Sequence, residues 1–139
     1  MVDSNCIFCK IANGDIPSLT LFENEKFRVI FDIAPASFGH AIILPKNHAE
    51  NIYELGEEET SEIFVLAKKV AGMLKKALKC DGINILQNNG EAAGQSVFHL
   101  HVHIIPRYKE DTVHITWKPG EVDTDRLKKL IQEIKNQKE

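Results

Sequence analysis

Apolar and polar residues recur along this chain with two different periods, and the periods divide it into elements. Between Glu57 and Lys79 the residues Ile63, Leu66, Ala67, Val70, Leu74, Ala77 and Leu78 repeat at helical spacing, which predicts a long amphipathic helix. Glu57, Glu58 and Glu59 stand at its start and Lys75, Lys76 and Lys79 at its end, as a helix dipole favours. A closing helix is expected over Asp123–Asn136, with Leu127, Leu130, Ile131 and Ile134 on one side. Leu19–Glu23 and Phe27–Asp32 read as strands joined by a turn at Glu23-Asn24-Glu25, a hairpin. Further strands are expected over His40–Pro45, Gly82–Gln87 and Val97–Ile105, the last stopped by Pro106. Cys6–Ile16 reads as a short helical region, and Asn88–Gly94 as a Gly/Asn-rich loop. Strands and helices do not alternate regularly. The expected class is therefore α+β: an antiparallel sheet with helices on one face.

Composition narrows the function classes. A chain of 139 residues suits a single domain, and 43% hydrophobic residues supply a core. A formal net charge of -3 argues against a general nucleic-acid binder, which needs a basic face. It leaves room for a small anionic ligand held by backbone amides and a few histidines. No apolar run spans a bilayer, so no membrane association is expected. The first ten residues carry no signal-peptide pattern, which makes a cytoplasmic location the default expectation. Cys6, Cys9 and Cys80 form an odd set, better suited to thiols or metal ligands than to a disulfide framework.

The chemistry concentrates in Gly94-Gln95-Ser96-Val97-Phe98-His99-Leu100-His101-Val102-His103-Ile104-Ile105-Pro106. On extended backbone alternate side chains share a face, so His99, His101 and His103 line one face and Leu100, Val102 and Ile104 pack on the other. Three buried imidazoles each need a partner. They could form a metal site, or one could act as nucleophile or acid/base with its neighbours orienting it. The loop before them, Asn88 to Ser96, offers amides, a hydroxyl and unhindered glycine N–H groups, as a phosphate requires. Cys6-Ile7-Phe8-Cys9 is a C-x-x-C pair. It is either a redox pair, which should follow a strand, or half of a zinc site whose other ligands spacing alone does not identify.

His99-Leu100-His101-Val102-His103-Ile104-Ile105 resembles the motif of the histidine triad family, with Gly94-Gln95-Ser96-Val97 as its usual lead-in. The resemblance extends over Cys6-Ile7-Phe8-Cys9-Lys10-Ile11, Arg28-Val29-Ile30-Phe31-Asp32-Ile33 and Leu44-Pro45-Lys46-Asn47-His48, in order. It implies an α+β domain around a five-stranded antiparallel sheet, continued across a homodimer. It implies a purine nucleotide ligand such as AMP, and cleavage at its α-phosphorus through a nucleotidyl-histidine on His101. His103, Ser96 and Gln95 would contact the phosphate. Asp32 would hold the ribose, with Ile33, Ile30, Phe8 and Ile11 around the base. Asn88, Gly94, Val97 and His40 would line the rest of the pocket. The resemblance also implies a structural zinc ion on Cys6, Cys9, His48 and His99. Phosphoramidates and dinucleoside polyphosphates both remain open as substrates: Trp117-Lys118-Pro119-Gly120 resembles one branch of the family, and His103 to Arg107 another. A nucleotide-binding regulatory protein with little turnover is the rival reading.

Overall fold

The computed structural model describes residues 1–137. Its elements, in chain order, are α1 (Ile7–Ala12), β1 (Thr20–Glu23), β2 (Phe27–Phe31), β3 (Ala41–Pro45), α2 (Glu57–Leu78), β4 (Gly82–Leu86), a short 3-10 turn (Glu91–Ala93), β5 (Val102–Arg107) and α3 (Thr124–Lys135). The five strands form one antiparallel sheet in the order β1-β2-β3-β5-β4. Among the described residues, no helix is long and apolar enough to cross a membrane.

Helical periodicity decides which face of α2 is buried. Ile63, Leu66, Ala67, Val70 and Leu74 point inward. There they meet Phe27, Val29, Ala41, Ile43, Leu100, Val102 and Ile104 from the sheet, and together these residues make the main core. Lys79 adopts a left-handed backbone (φ 52°) and closes the helix with a hydrogen bond from its N–H to the Lys75 carbonyl. The opposite face of the sheet is covered by α1, where Ala12 packs on Ile30, Ile42 and Leu44 with Phe8 and Ile11 at the rim. Helices therefore cover both faces, not one as the strand order suggested. The reason is local: six residues of α1 carry too little periodicity to announce a buried face.

The last strand also differs from expectation. Pairing between β3 and β5 begins only at Val102, opposite Ile43, so Val97–His101 approaches the sheet without joining its ladder. In that segment Leu100 N–H bonds to the Ala49 carbonyl, and the His99 carbonyl is taken by the His101 ring. The backbone groups that a ladder would use are thus committed elsewhere. Nor does Pro106 stop the strand. Its β3 flank has already ended at Ala41 opposite Ile104, so no partner on that side is lost, and pairing with β4 runs on to Arg107.

Candidate active site and metal centre

The alternation read from the sequence survives the shorter strand, although the backbone bends at Val97–His99. Leu100, Val102 and Ile104 are buried in the α2-side core. The three imidazoles face α1. Phe8 on α1 meets both His99 and His101 edge-on, with ring centroids 6.1 and 5.1 Å apart. His101 and His103 stand 4.8 Å apart between centroids, and His40 and His103 stand 5.1 Å apart.

Hydrogen bonds assign the tautomers of this group. His101 Nδ1 lies 2.7 Å from the His99 carbonyl, which can only accept, so Nδ1 carries the proton and Nε2 keeps a free lone pair. The Ala36 N–H donates to His40 Nδ1 at 3.0 Å, so the proton of neutral His40 sits on Nε2. From there it is donated to His103 Nδ1 at 2.9 Å, which puts the His103 proton on its own Nε2. The pocket thus presents a bare nitrogen from His101 beside an N–H donor from His103. Burial pushes all three groups down, His103 to about 4, so the rings are neutral near pH 7. The Asp32 carboxylate lies 3.8 Å from His40 Nε2 and pulls the other way. Asp32, His40 and His103 are close enough to suggest a metal triad. The Ala36 hydrogen bond argues against it, since a metal on Nε2 would leave His40 without a proton on either nitrogen.

A second cluster has the opposite character. Cys6 Sγ and Cys9 Sγ lie 3.3 and 3.4 Å from His99 Nδ1, and Cys9 Sγ lies 3.5 Å from His48 Nδ1. Four ligands at about 2.0–2.3 Å from a tetrahedral centre are separated by about 3.3–3.8 Å, so this set could hold such a metal ion. His99 Nε2 donates to the Pro45 carbonyl at 2.9 Å, which leaves Nδ1 unprotonated and aimed at the sulfurs. The Cys9 N–H donates to Cys6 Sγ and the Asp3 N–H to Cys9 Sγ, an arrangement that favours anionic sulfur. Burial pushes the Cys9 thiol up, so thiolates here need a cation beside them.

The remaining sequence-predicted residues divide by position. Ile30 is buried in the α1-side cluster, with Phe8 and Ile11 at its rim. Ile33 is 94% exposed and borders an apolar cavity of about 630 Å³ that Asp32, His40, Phe38 and Met73 also line. Ser96 is exposed in the cleft it shares with Glu91 and Phe98. Gln95 is buried: both its amide protons go to backbone carbonyls, those of Glu50 and Val97, and its oxygen accepts from Gly90 N–H. It holds the loop in shape. Asn88 lies against Gly94, whose φ of 97° allows the turn into Gln95. Three backbone groups that orient the chemistry, the Ala36 and Asp3 amides and the Pro45 carbonyl, have no signature in sequence, because main-chain partners depend on tertiary placement alone.

Known proteins resemble this chain over most of its length. The "Protein hit" of Bacillus subtilis is 47% identical over 115 residues, covering 82% of this chain and 79% of the relative. A Schizosaccharomyces pombe protein named adenosine 5'-monophosphoramidase is 42% identical over 131 residues, covering 94% of this chain and 96% of the relative. The crystal structure of a Zn-bound histidine triad family protein from Mycobacterium smegmatis superposes with a TM-score of 0.74 at 32% identity, over 95% of this chain and 97% of that one. Residues 13–110 match the model of the HIT domain, so the chain belongs to the HIT domain family.

Proposed function

We propose that this protein hydrolyses nucleotide derivatives at the α-phosphorus, with His101 as nucleophile. The observation that carries the reading is the tautomer of His101: its Nδ1–H is tied to the His99 carbonyl, which leaves Nε2 free to attack. In the first step Nε2 forms a bond to phosphorus, the bond from phosphorus to the leaving group breaks, and the leaving group takes up a proton from solvent. Water then attacks phosphorus and gives up a proton to solvent, the bond to Nε2 breaks, and the nucleoside monophosphate departs. The His103 Nε2–H can donate to a phosphate oxygen as charge develops. In this reading the exposed Ser96 serves the leaving group, Asp32 the ribose hydroxyls, and Phe8 and Ile11, at the rim of the cluster that holds Ile30, a purine. Gln95 acts through the loop it holds. The relationship to an adenosine 5'-monophosphoramidase favours nucleoside phosphoramidates over dinucleoside polyphosphates.

The second part of the proposal is a structural zinc ion on Cys6, Cys9, His48 and His99. Four protein ligands leave no open position for chemistry. The third is a homodimer that continues the sheet through β4, one of its two edge strands, β1 being the other.

The test of function is incubation with an adenosine phosphoramidate and with diadenosine polyphosphates. We expect AMP release that drops at least about 10³-fold in His101→Ala, with AMP binding retained. Equal inertness of wild type and variant, with AMP bound by both, would favour a regulatory nucleotide-binding protein instead.

A further inference from the structure

The hydrogen bonds that set the pocket's protons trace back to a loop outside the β3–β5 ladder. Pairing between those strands ends with Ala41 opposite Ile104, so His40, one residue earlier, has no ladder partner on the β5 side. On its other side the His40 carbonyl accepts from Asp32 N–H at 2.9 Å, which closes residues 33–39 into a loop between β2 and β3. Ile33, Ala34, Pro35, Ala36 and Phe38 in this loop are exposed, so little packing holds it down. Ser37 stands among them half-buried, and its hydroxyl donates to the Pro106 carbonyl at 2.6 Å. Pro106 belongs to β5, the strand that carries His103. We infer that Ser37 is a positioning residue for the His40–His103 pair: by tying the loop to β5 it keeps the Ala36 N–H on His40 Nδ1 and the His40 Nε2–H on His103.

Ser37 reaches both partners. Its side chain holds β5, and its main-chain carbonyl accepts from His40 N–H at 3.2 Å. The neighbouring Ala36 N–H, 3.0 Å from His40 Nδ1, is what fixes the proton of neutral His40 on Nε2. That proton has a choice of acceptors. His103 Nδ1 lies 2.9 Å from His40 Nε2, and the Asp32 carboxylate lies 3.8 Å away. If the loop lifts, the Ala36 amide leaves Nδ1, and the His40 ring is free to change tautomer or to turn toward Asp32. His103 then loses its donor. Its proton can move to Nδ1, which leaves Nε2 bare where a phosphate oxygen needs an N–H. His101 is independent of the loop, because its Nδ1 is tied to the His99 carbonyl.

A second hydroxyl also reaches the loop: Tyr108 O–H donates to the Phe38 carbonyl at 3.0 Å. That bond is exposed, so water can replace it. The Ser37 bond is partly buried and shorter, and removing its donor leaves the Pro106 carbonyl without that partner. The positioning role therefore falls to Ser37.

The consequence for turnover rests on the proposed role of the His103 N–H, but the tautomers themselves can be observed without turnover. The test compares full-length wild type, S37A, S37T and Y108F. Long-range proton–nitrogen correlation spectra, with isotope-labelled histidine, distinguish rings protonated on Nδ1 from rings protonated on Nε2. We expect His40 and His103 of the wild type to be protonated on Nε2 and His101 on Nδ1. In S37A the His40 and His103 signals should move toward mixed tautomers while those of His101 stay in place. For an adenosine phosphoramidate, kcat of S37A should fall about 10-fold with KM changed by less than about 2-fold. S37T keeps the hydroxyl and should restore both readouts, and Y108F should match the wild type in both. Wild-type tautomers in S37A overturn the inference. So does an S37T that behaves as S37A, or a Y108F as impaired as S37A, since either would reduce Ser37 to general loop packing. A wild type inert toward the phosphoramidate, with mixed tautomers still appearing in S37A, counts against the proposed function and leaves the positioning role standing.

Discussion

His99 and His101 are two residues apart and present opposite nitrogens to their tasks. His99 gives its Nε2 proton to the Pro45 carbonyl and turns Nδ1 to the sulfurs, whereas His101 gives its Nδ1 proton to the His99 carbonyl and keeps Nε2 bare. Backbone carbonyls set both choices. His103 is set by a side chain, His40, and that makes His40 a position where orientation can be tested apart from bond making. We expect His40→Phe, which fills the site without donating, to lower kcat by roughly 10- to 100-fold with little change in KM. Equal kcat values for variant and wild type would remove His40 from the mechanism. The same burial makes stability sensitive to acid. His103 has a folded value of about 4 against an ordinary 6.5, so the unfolded chain takes up its proton first as pH falls. Stability should thus be level above pH 7, decline between 6.5 and 4, and decline less steeply in His103→Asn. Urea midpoints at a series of pH values measure this, and parallel curves for the two proteins would contradict it.

Whether an element was readable in the sequence depended on what fixes it. The long helix and the β1–β2 hairpin are fixed by periodicity and turn residues, and both were legible nearly to the residue. The triad's shared face was legible too, since Leu100, Val102 and Ile104 all enter the core and leave the imidazoles between them on the other side. The start of β5 was not, because the contacts that keep Val97–His101 out of the sheet come from Ala49 and from the His101 ring. The face covered by α1 was hidden for a similar reason: Cys9 is buried through its neighbours in the cysteine–histidine cluster, a set that spacing could not pick out among six histidines. Gly39 shows how one turn supports the site. Its φ is 91°, and a Cβ there would come within 2.5 Å of Leu78 Cδ1, at the junction where α2 abuts the turn into β3. We expect Gly39→Ala to destabilise the fold by about 2 kcal/mol through backbone strain and the displaced leucine, and to loosen His40 next to it. Thermal unfolding measures the first effect and kcat the second. A stable, fully active variant would show that the turn can relax without cost to the site.

At the scale of the whole molecule, the cysteine–histidine cluster joins the part of the chain that carries Phe8 to the part that carries the triad. Cys6 and Cys9 belong to the start of the chain, His48 follows β3, and His99 precedes β5. Phe8, between the two cysteines, lies edge-on to His101 and at the rim of the α1-side cluster. The His48 N–H also bonds to the Met1 carbonyl, so the first residues are tied to the cluster as well. Loss of the proposed zinc should therefore act through α1, and its effect should fall more on stability and substrate affinity than on the chemical step. We expect C6S/C9S, or wild type stripped by a chelator, to lose about 5–10 °C in Tm, because metal binding energy is folding energy for the segment it ties down. With Phe8 and Ile11 freed to move, KM should rise several-fold. The His101–His99 and His40–His103 hydrogen bonds do not pass through the metal, so kcat should fall by less than about 3-fold. Metal analysis of the purified wild type should find close to one zinc per chain, and readdition should restore both Tm and KM in the stripped protein but not in C6S/C9S. A kcat that collapses while Tm stays constant would reverse the division of labour argued here and make the cluster part of the chemistry.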